Sequence, residues 1–414
     1  MDGVERLDGG PRSAVVVGAG VVGLSTAWFL QERGVEVTVV DRTGVAAGAS
    51  WGNAGWIAPG LAIPLNEPAV LRYGLRSLFD PAAPLHIPLT ADPKLWSFLA
   101  RFAAHCRWSS WTRAAKANIP LNEECIEAYD VLTANGVEAS TVDAPITAVF
   151  TSAVSAQGLV RELDRLAAAG QPVDHVRLST TDLREQVPLA SSALTAGVRV
   201  EGQRFAAPGE FVQALGRAVV ARGATIHTFE VDDVRAHSTG VVVQGISADV
   251  AVLATGAWLP GLAARFGVRT PVRAGRGYSF TVPVSEPVHG PVYLPEARVA
   301  CTPYQGGLRV AGTMEFRSPD APVDETRVDA IIASVRPLLD GVRWEDRTDV
   351  WVGPRPVTPD GRALIGATRV PGVYVAGGHG MWGLAQGPVT GRLLAEQITT
   401  GKQPAALREF DPLR

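Results

Sequence analysis

Apolar and polar positions alternate in two distinct rhythms near the start of the chain. An apolar strand ending Val15-Val16-Val17 runs through a glycine-rich turn into a helical stretch over 24–33, where Leu24, Ala27, Trp28 and Leu30 fall on or near one face. Gly34 stops that helix, and a second alternating strand over 35–40 ends at Asp41. The same strand–helix grammar returns over 205–260. A helix is predicted over 208–222, with Gly223 suited to the left-handed position past its end, and strands over 225–229, 240–244 and 250–254 follow. From Trp351 the chain closes with one more strand, a glycine-rich loop and a helix in which Pro388 suits the first position, because it lacks the N–H left unsatisfied there.

The stretches between have another character. Over 61–150 proline recurs up to about Pro93, and helices rich in Trp, Leu and Ala follow, for example over 94–111 and 119–133. This part reads as an insert covering a face of the α/β unit. Residues 262–350 form a β-rich block with runs such as 277–282 and 308–312 between Pro and Gly turns. The expected fold class is therefore α/β: a discontinuous Rossmann-like domain from 12–60, 150–260 and 351–404. An α+β domain with a mixed or antiparallel sheet comes from 61–149 and 261–350.

Composition narrows the function classes. In 414 residues, hydrophobic side chains make up 46% and charged ones 19%, enough apolar surface for a substantial core and too much for disorder. The net charge of −3 comes without a basic patch, so nucleic acid is not expected as a partner. Cys106, Cys125 and Cys301 form no CxxC pair, which argues against a disulfide framework and a structural metal site. The N-terminus shows no cationic stretch followed by an apolar segment and cleavage site, and the apolar run over 14–30 is short for a bilayer and broken by glycines. A cytoplasmic location follows as the expectation, with peripheral membrane contact left open.

Gly18-Ala19-Gly20-Val21-Val22-Gly23 is a GxGxxG turn placed between strand and helix. Gly18 suits the tight turn, Gly20 lets backbone approach a pyrophosphate, and Gly23 lets the helix pack close to the strand. The helix N-terminus then offers N–H groups and the positive end of its dipole to phosphate. Asp41, followed by Arg42, stands where a carboxylate accepts hydrogen bonds from an adenosine ribose. These features indicate a dinucleotide without separating FAD from NAD.

Three further segments separate them. The loop Ala47-Gly48-Ala49-Ser50-Trp51-Gly52-Asn53-Ala54-Gly55 is suited to lay backbone N–H groups and the Ser50 hydroxyl against a second phosphate and a ribityl chain. The strand ending Ala254-Thr255-Gly256-Ala257-Trp258 is of the type that runs beneath a nucleotide, and Val231 belongs to the same expected wall. The terminal unit Gly377-Gly378-His379-Gly380-Met381-Trp382-Gly383-Leu384 opens a helix that would face a flavin's pyrimidine edge, for which an NAD enzyme has no use. The expected cofactor is FAD, and only one complete GxGxxG unit is present, which makes a separate NAD(P)H site unexpected.

With these residues in place, the chain resembles the D-amino acid oxidase superfamily of flavoproteins. The likeness is nearest to bacterial D-amino acid dehydrogenases and to glycine, sarcosine and hydroxyproline oxidising enzymes. It is carried by VVVGAGVVGLSTAWFL, GASWGNAGWIAPG, VAVLATGAW, GPRPVTPDGRALIG and VYVAGGHGMWGL, in family order over nearly the whole chain. The resemblance implies a glutathione-reductase-like FAD-binding domain beside a substrate-binding domain. It also implies that Arg355 grips the substrate carboxylate, a role suited to a planar, permanently charged guanidinium. His379 is a second candidate at the catalytic centre, with a structural hydrogen bond as the alternative. Met314, Tyr278, Tyr304, Trp56 and Trp382 are candidates for the substrate pocket, and core packing is the equal alternative for Met314. Relatives that attach flavin covalently use a cysteine in the region 353–360, and none stands there, so the FAD is expected to be non-covalent.

The implied chemistry is transfer of a Cα hydride from an amino acid to flavin, giving a 2-oxo acid and ammonia, with dioxygen or a quinone as final electron acceptor. Orientation is the main demand of such a step. Oxidation of a secondary or simple amine such as glycine, sarcosine or hydroxyproline is the nearest alternative. A flavin monooxygenase and a non-catalytic flavin-fold protein are the remaining ones. Oligomeric state is not legible.

Overall fold

A computed structural model describes residues 10–77, 83–88 and 90–414. Residues 1–9, part of the segment on which a leader was judged absent, lie outside the described residues. No described helix is long and apolar enough to cross a membrane.

A six-stranded sheet carries the order Thr225–Thr228, Glu36–Asp41, Ser13–Val17, Val250–Leu253, Val373–Gly377 and Leu364–Ala367. Its pairs are parallel except the last, which is antiparallel. The central strands are almost wholly apolar because helices cover the sheet, whereas the edge strand Thr225–Thr228 is polar and mostly exposed. Helices Val21–Glu32 and Gly383–Thr400 cross at their small residues. A Cβ on Gly391 would lie 2.6 Å from the backbone of Ser25 and Thr26, so only glycine allows this approach.

Pro388 does not start that helix. It sits inside Gly383–Thr400, where its ring denies the Leu384 carbonyl its usual intrahelical partner. Tyr129 supplies the missing donor, its hydroxyl reaching the Leu384 carbonyl at 2.7 Å. Tyr129 belongs to Cys125–Ala134, one of three helices with Pro93–His105 and Trp108–Glu123. The helix expected over 94–111 is thus broken at Cys106 and Arg107, and that expected over 119–133 is broken at Glu124.

The second sheet has nine strands, running Thr348–Val357, Arg273–Val282, Gly307–Phe316, Val299–Tyr304, Val292–Leu294, Ile146–Phe150, Ala196–Val200 and His175–Leu178, with Leu85–His86 paired beside Gly307–Phe316. Most pairs are antiparallel, and Val292–Leu294 with Ile146–Phe150 is parallel. This sheet cuts across the boundaries drawn from the sequence. Strands within 146–200 join it, although most of that segment was grouped with the nucleotide-binding part. Conversely, Leu121, Cys125, Ala128 and Tyr129, from the presumed insert, pack into the core of the six-stranded sheet. Hydrophobic burial, not sequence position, assigns each element to its layer. The β-rich block also contains a helix, Glu325–Val335, whose Val328, Ile331, Ile332 and Val335 pack against the sheet. All three cysteines are free and buried.

Candidate active site

A cavity of about 490 Å³ opens at the carboxyl ends of the parallel strands, bounded beyond them by Pro354, Arg355 and Pro356 of the nine-stranded sheet. The first wall is the GxGxxG turn. Gly18 adopts φ +117, and a Cβ on Gly23 would stand 2.0 Å from the Gly18 carbonyl oxygen, so the turn and helix fit together only as glycines. Gly20 and Val22 line the cavity with Gly18.

Asp41 braces this turn. Its Oδ2 accepts from the Ala19 N–H at 2.8 Å, and its Oδ1 accepts from the N–H groups of Thr43 and Gly44 at 2.9 and 3.0 Å. Oδ1 is fully used, since the Thr43 hydroxyl also donates to it, and Oδ2 retains capacity to accept a ribose hydroxyl. Ser50 accepts from the Val21 N–H at 3.0 Å, so it caps the helix as well as lining the cavity. Its neighbours Gly48, Ala49 and Asn53 complete that wall.

Arg42, Val231, Thr255, Gly256 and Trp258 line the opposite side. The Arg42 guanidinium lies 4.0 Å above the Trp258 ring. Asp320 ties the two together, accepting from Arg42 Nη2 at 2.5 Å and from Trp258 Nε1 at 3.0 Å. This carboxylate comes from the loop after Gly307–Phe316, so it links the second sheet to the nucleotide side.

The last wall joins the other end of the chain. His379, Gly380, Met381, Gly383 and Leu384 line it, with the N-terminus of Gly383–Thr400 directed at the cavity beside that of Val21–Glu32. His379 is buried, its Nε2 lies 3.0 Å from Thr390 Oγ1, and burial pushes its pKa down to about 4. It is therefore a neutral imidazole at physiological pH.

Arg355 enters from Thr348–Val357, half-buried, with Nη1 donating to the Thr313 carbonyl at 2.8 Å. The carbonyl is turned toward it by an irregularity in the facing strands. The register between Arg273–Val282 and Gly307–Phe316 slips between Arg276 and Tyr278, and Thr313 takes φ +58. Burial alone pushes the Arg355 pKa down, to about 10, which leaves it a cation at neutral pH. No described carboxylate acts on it, so the site presents a desolvated positive charge to whatever enters.

Several expected residues stand elsewhere. Gly23, Ala54, Gly55 and Gly378 shape the backbone without lining the cavity. None of the five substrate-pocket candidates reaches its wall. Tyr278 is buried in the core behind the sheet and donates to Glu315 Oε2 at 2.7 Å. Tyr304 lines a separate surface cavity with Glu210 and Gln305. Trp56 donates to Thr302 Oγ1 at 2.8 Å, and Trp382 donates to the Ile63 carbonyl at 3.0 Å. Met314 packs with Phe98 and Phe316. For all but Tyr304, the large side chain has an apolar or hydrogen-bonded seat that periodicity alone does not distinguish from a pocket wall.

Sequence reasoning missed Phe229, Glu230, Asp232 and Arg265, which line the cavity near Val231. Phe229, Glu230 and Asp232 follow a strand end and Arg265 sits in a short helical turn, neither with a motif of its own. It also missed Gly277, whose place inside an apolar strand was a usable signal of close approach.

A family model described as FAD dependent oxidoreductase, DAO, matches residues 13–397. A D-amino acid dehydrogenase of Vibrio vulnificus is 31% identical, the match covering 96% of this chain and 99% of that protein. A second, from Xylella fastidiosa, is also 31% identical over 93% and 91% of the two chains. Among solved structures, glycine oxidase from Geobacillus kaustophilus superposes with a TM-score of 0.74 at 23% identity, covering 98% of each chain.

Proposed function

The chain belongs to the DAO family of FAD-dependent oxidoreductases, and from that premise we propose that it oxidises the Cα–N bond of a D-amino acid. FAD is the cofactor of this family, and the cavity suits it on physical grounds. Two helix N-termini and a carboxylate converge on one elongated space, the donors and acceptor that a pyrophosphate, a flavin edge and a ribose require. On this reading Gly18, Gly20 and Val22 would hold the pyrophosphate with Ser50, and Asp41 and Arg42 the adenosine. Gly48, Ala49 and Asn53 would lie along the ribityl chain with Thr255, Gly256 and Trp258, with Val231 beside the adenine. Residues from His379 to Leu384 would meet the flavin edge. The cavity wall carries no cysteine among the described residues, in keeping with non-covalent binding.

The observation that carries the substrate class is Arg355. A guanidinium in a cavity, braced by one backbone carbonyl and lacking a described carboxylate partner, calls for an anion with two acceptor oxygens. A carboxylate seated there fixes the amino acid while its amine and Cα–H face the cofactor. Bound FAD supplies the two-electron acceptor that takes the Cα hydrogen as hydride. Arg355 orients, Thr313 holds Arg355, and the buried wall excludes water until the imine is hydrolysed to a 2-oxo acid and ammonia. His379, neutral and fixed by Thr390, lines the site without carrying a charge that would compete with Arg355 for the carboxylate.

An anaerobic screen tests this reading. The purified yellow protein is mixed with D- and L-amino acids, glycine, sarcosine and proline analogues, and bleaching of the flavin band is followed. Bleaching by D-amino acids is the expected result. Bleaching confined to glycine or sarcosine moves the assignment to amine oxidation, and no bleaching by any of them overturns it. Reoxidation by dioxygen against a soluble quinone then distinguishes oxidase from dehydrogenase.

A further inference from the structure

A second arginine stands near the same cavity without a carboxylate in contact. Arg309, on Gly307–Phe316, is 4% exposed. Its Nε and Nη2 both donate to the Gly52 carbonyl at 3.2 Å, Nη2 also to Ser279 Oγ at 2.9 Å, and Nη1 to Thr281 Oγ1 at 3.2 Å. Ser279 Oγ donates to the same Gly52 oxygen at 2.5 Å. Every one of these contacts is with a neutral group. The face of Tyr304 lies 5.4 Å away, and Asp349 acts on the cation only through space.

Burying a guanidinium among neutral partners is costly unless something compensates. Three hydrogen-bond acceptors satisfy the donors but leave the charge. The Gly52 carbonyl that Arg309 grips belongs to the loop on the flavin side, adjacent to Asn53 and two residues from Ser50, both of which line the cavity. Arg309 and Arg355 thus stand on the two strands that flank Arg273–Val282, Arg355 lining the cavity and Arg309 behind the loop that forms its wall. A buried charge whose only carboxylate influence is Asp349 through space still favours whichever neighbouring state is more negative. For a flavin that is the reduced state.

We propose that Arg309 is a positioning residue with an electrostatic role: it clamps the flavin-side loop through Gly52 and raises the reduction potential of the bound FAD. The proposal rests on the placement of 47–55 beside the flavin, and it concerns the cofactor, independent of which amino acid is oxidised. Arg309 touches neither substrate nor reacting atoms. The electrons come from the substrate of the proposed reaction and leave to the terminal acceptor, so Arg309 would shift only the energy of the two-electron reduced cofactor relative to the oxidised one.

The test measures the midpoint potential of the FAD-loaded protein by equilibration with a reference dye, with no amino acid present. Arg309→Gln keeps hydrogen bonding and removes the charge. Its expected effect is at least a tenfold shift toward the oxidised form at fixed potential, equivalent to about 30 mV lower for a two-electron couple. Arg309→Lys, which restores the charge without the fork, should recover most of the parent value. Should Arg309→Gln fail to hold FAD, Thr281→Asp sets a carboxylate against Nη1 while leaving the arginine in place, and the same downward shift is expected. An unchanged potential in an FAD-loaded Arg309→Gln or Thr281→Asp protein overturns the electrostatic role. A parent protein that no amino acid reduces would count against the proposed function and leave this measurement intact.

Discussion

The Arg355 guanidinium lies directly over the α-carbon of Gly277. A Cβ at Gly277 would stand 2.0 Å from Nη2 and 2.1 Å from Cζ, inside any permitted contact. The two strands pair Gly277 with Gly353 and Gly275 with Arg355, so the side chain crosses the sheet diagonally and settles on bare backbone. The clamp and the floor beneath it form one unit.

Gly277→Ala should therefore displace Arg355 without touching the nucleotide turn. Misplacement of about 1 Å costs on the order of 10²-fold in rate. The expected outcome is a loss of roughly that size in anaerobic flavin reduction by carboxylate substrates, with FAD still bound. Stopped-flow reduction checks it, and unchanged kinetics would show that the guanidinium can rest elsewhere.

Removing the charge is more severe. Arg355→Ala should abolish reduction by carboxylate substrates to the limit of detection, and Arg355→Lys should recover only a fraction, because an ammonium lacks the planar fork. In both variants the flavin spectrum should persist. If Arg355→Ala reduces as fast as the parent, the carboxylate is held by another group.

Much of this was legible in advance, and the reasons differ from part to part. The glycine turn is visible in the sequence because the close approach of Gly18 and Gly23 admits no Cβ, and Asp41 and the terminal glycine-rich unit, read from their place after a strand, line the same cavity. Arg355 was legible only through resemblance to a family motif. The pocket candidates do not line the cavity: Tyr278 and Trp56 carry polar tips as well as large rings, and each has a hydrogen-bonded seat that sequence pattern does not distinguish from a pocket wall. The domain boundaries failed for a topological reason: the sheet recruits Ile146–Phe150 and Ala196–Val200 across the chain, and pairing over such distances leaves no local signature.

Pro388 yields a prediction about stability. Tyr129 is the donor to the Leu384 carbonyl, so Tyr129→Phe leaves that carbonyl without it. A buried acceptor left unsatisfied costs about 1–3 kcal/mol. Thermal unfolding of the FAD-loaded variant should show a clear drop in midpoint. A phenylalanine as stable as the parent would mean that water or another donor reaches the carbonyl.

His379 makes stability depend on pH. Its folded pKa, pushed down to about 4 by burial, lies below the value of 6.5 that the unfolded chain would have. Between those values the unfolded chain binds more protons, so stability is retained above about 6.5 and falls as the pH drops toward 4. His379→Asn, which keeps a hydrogen-bonding group for Thr390 and cannot titrate, should flatten that part of the profile. Denaturant midpoints measured from pH 7 to pH 4 decide the matter: parallel curves for the two proteins would exclude the imidazole as the source.

The crossing of Val21–Glu32 with Gly383–Thr400 bears on how the protein is made. Val21–Glu32 leaves the ribosome long before Gly383–Thr400, the helix that packs on it through Gly391. Until then the nascent chain carries half a nucleotide cradle with an apolar helix flank exposed, and it must be shielded from aggregation. On the proposed reading FAD can be held only once both helices have been made, so cofactor loading follows the synthesis of Gly383–Thr400.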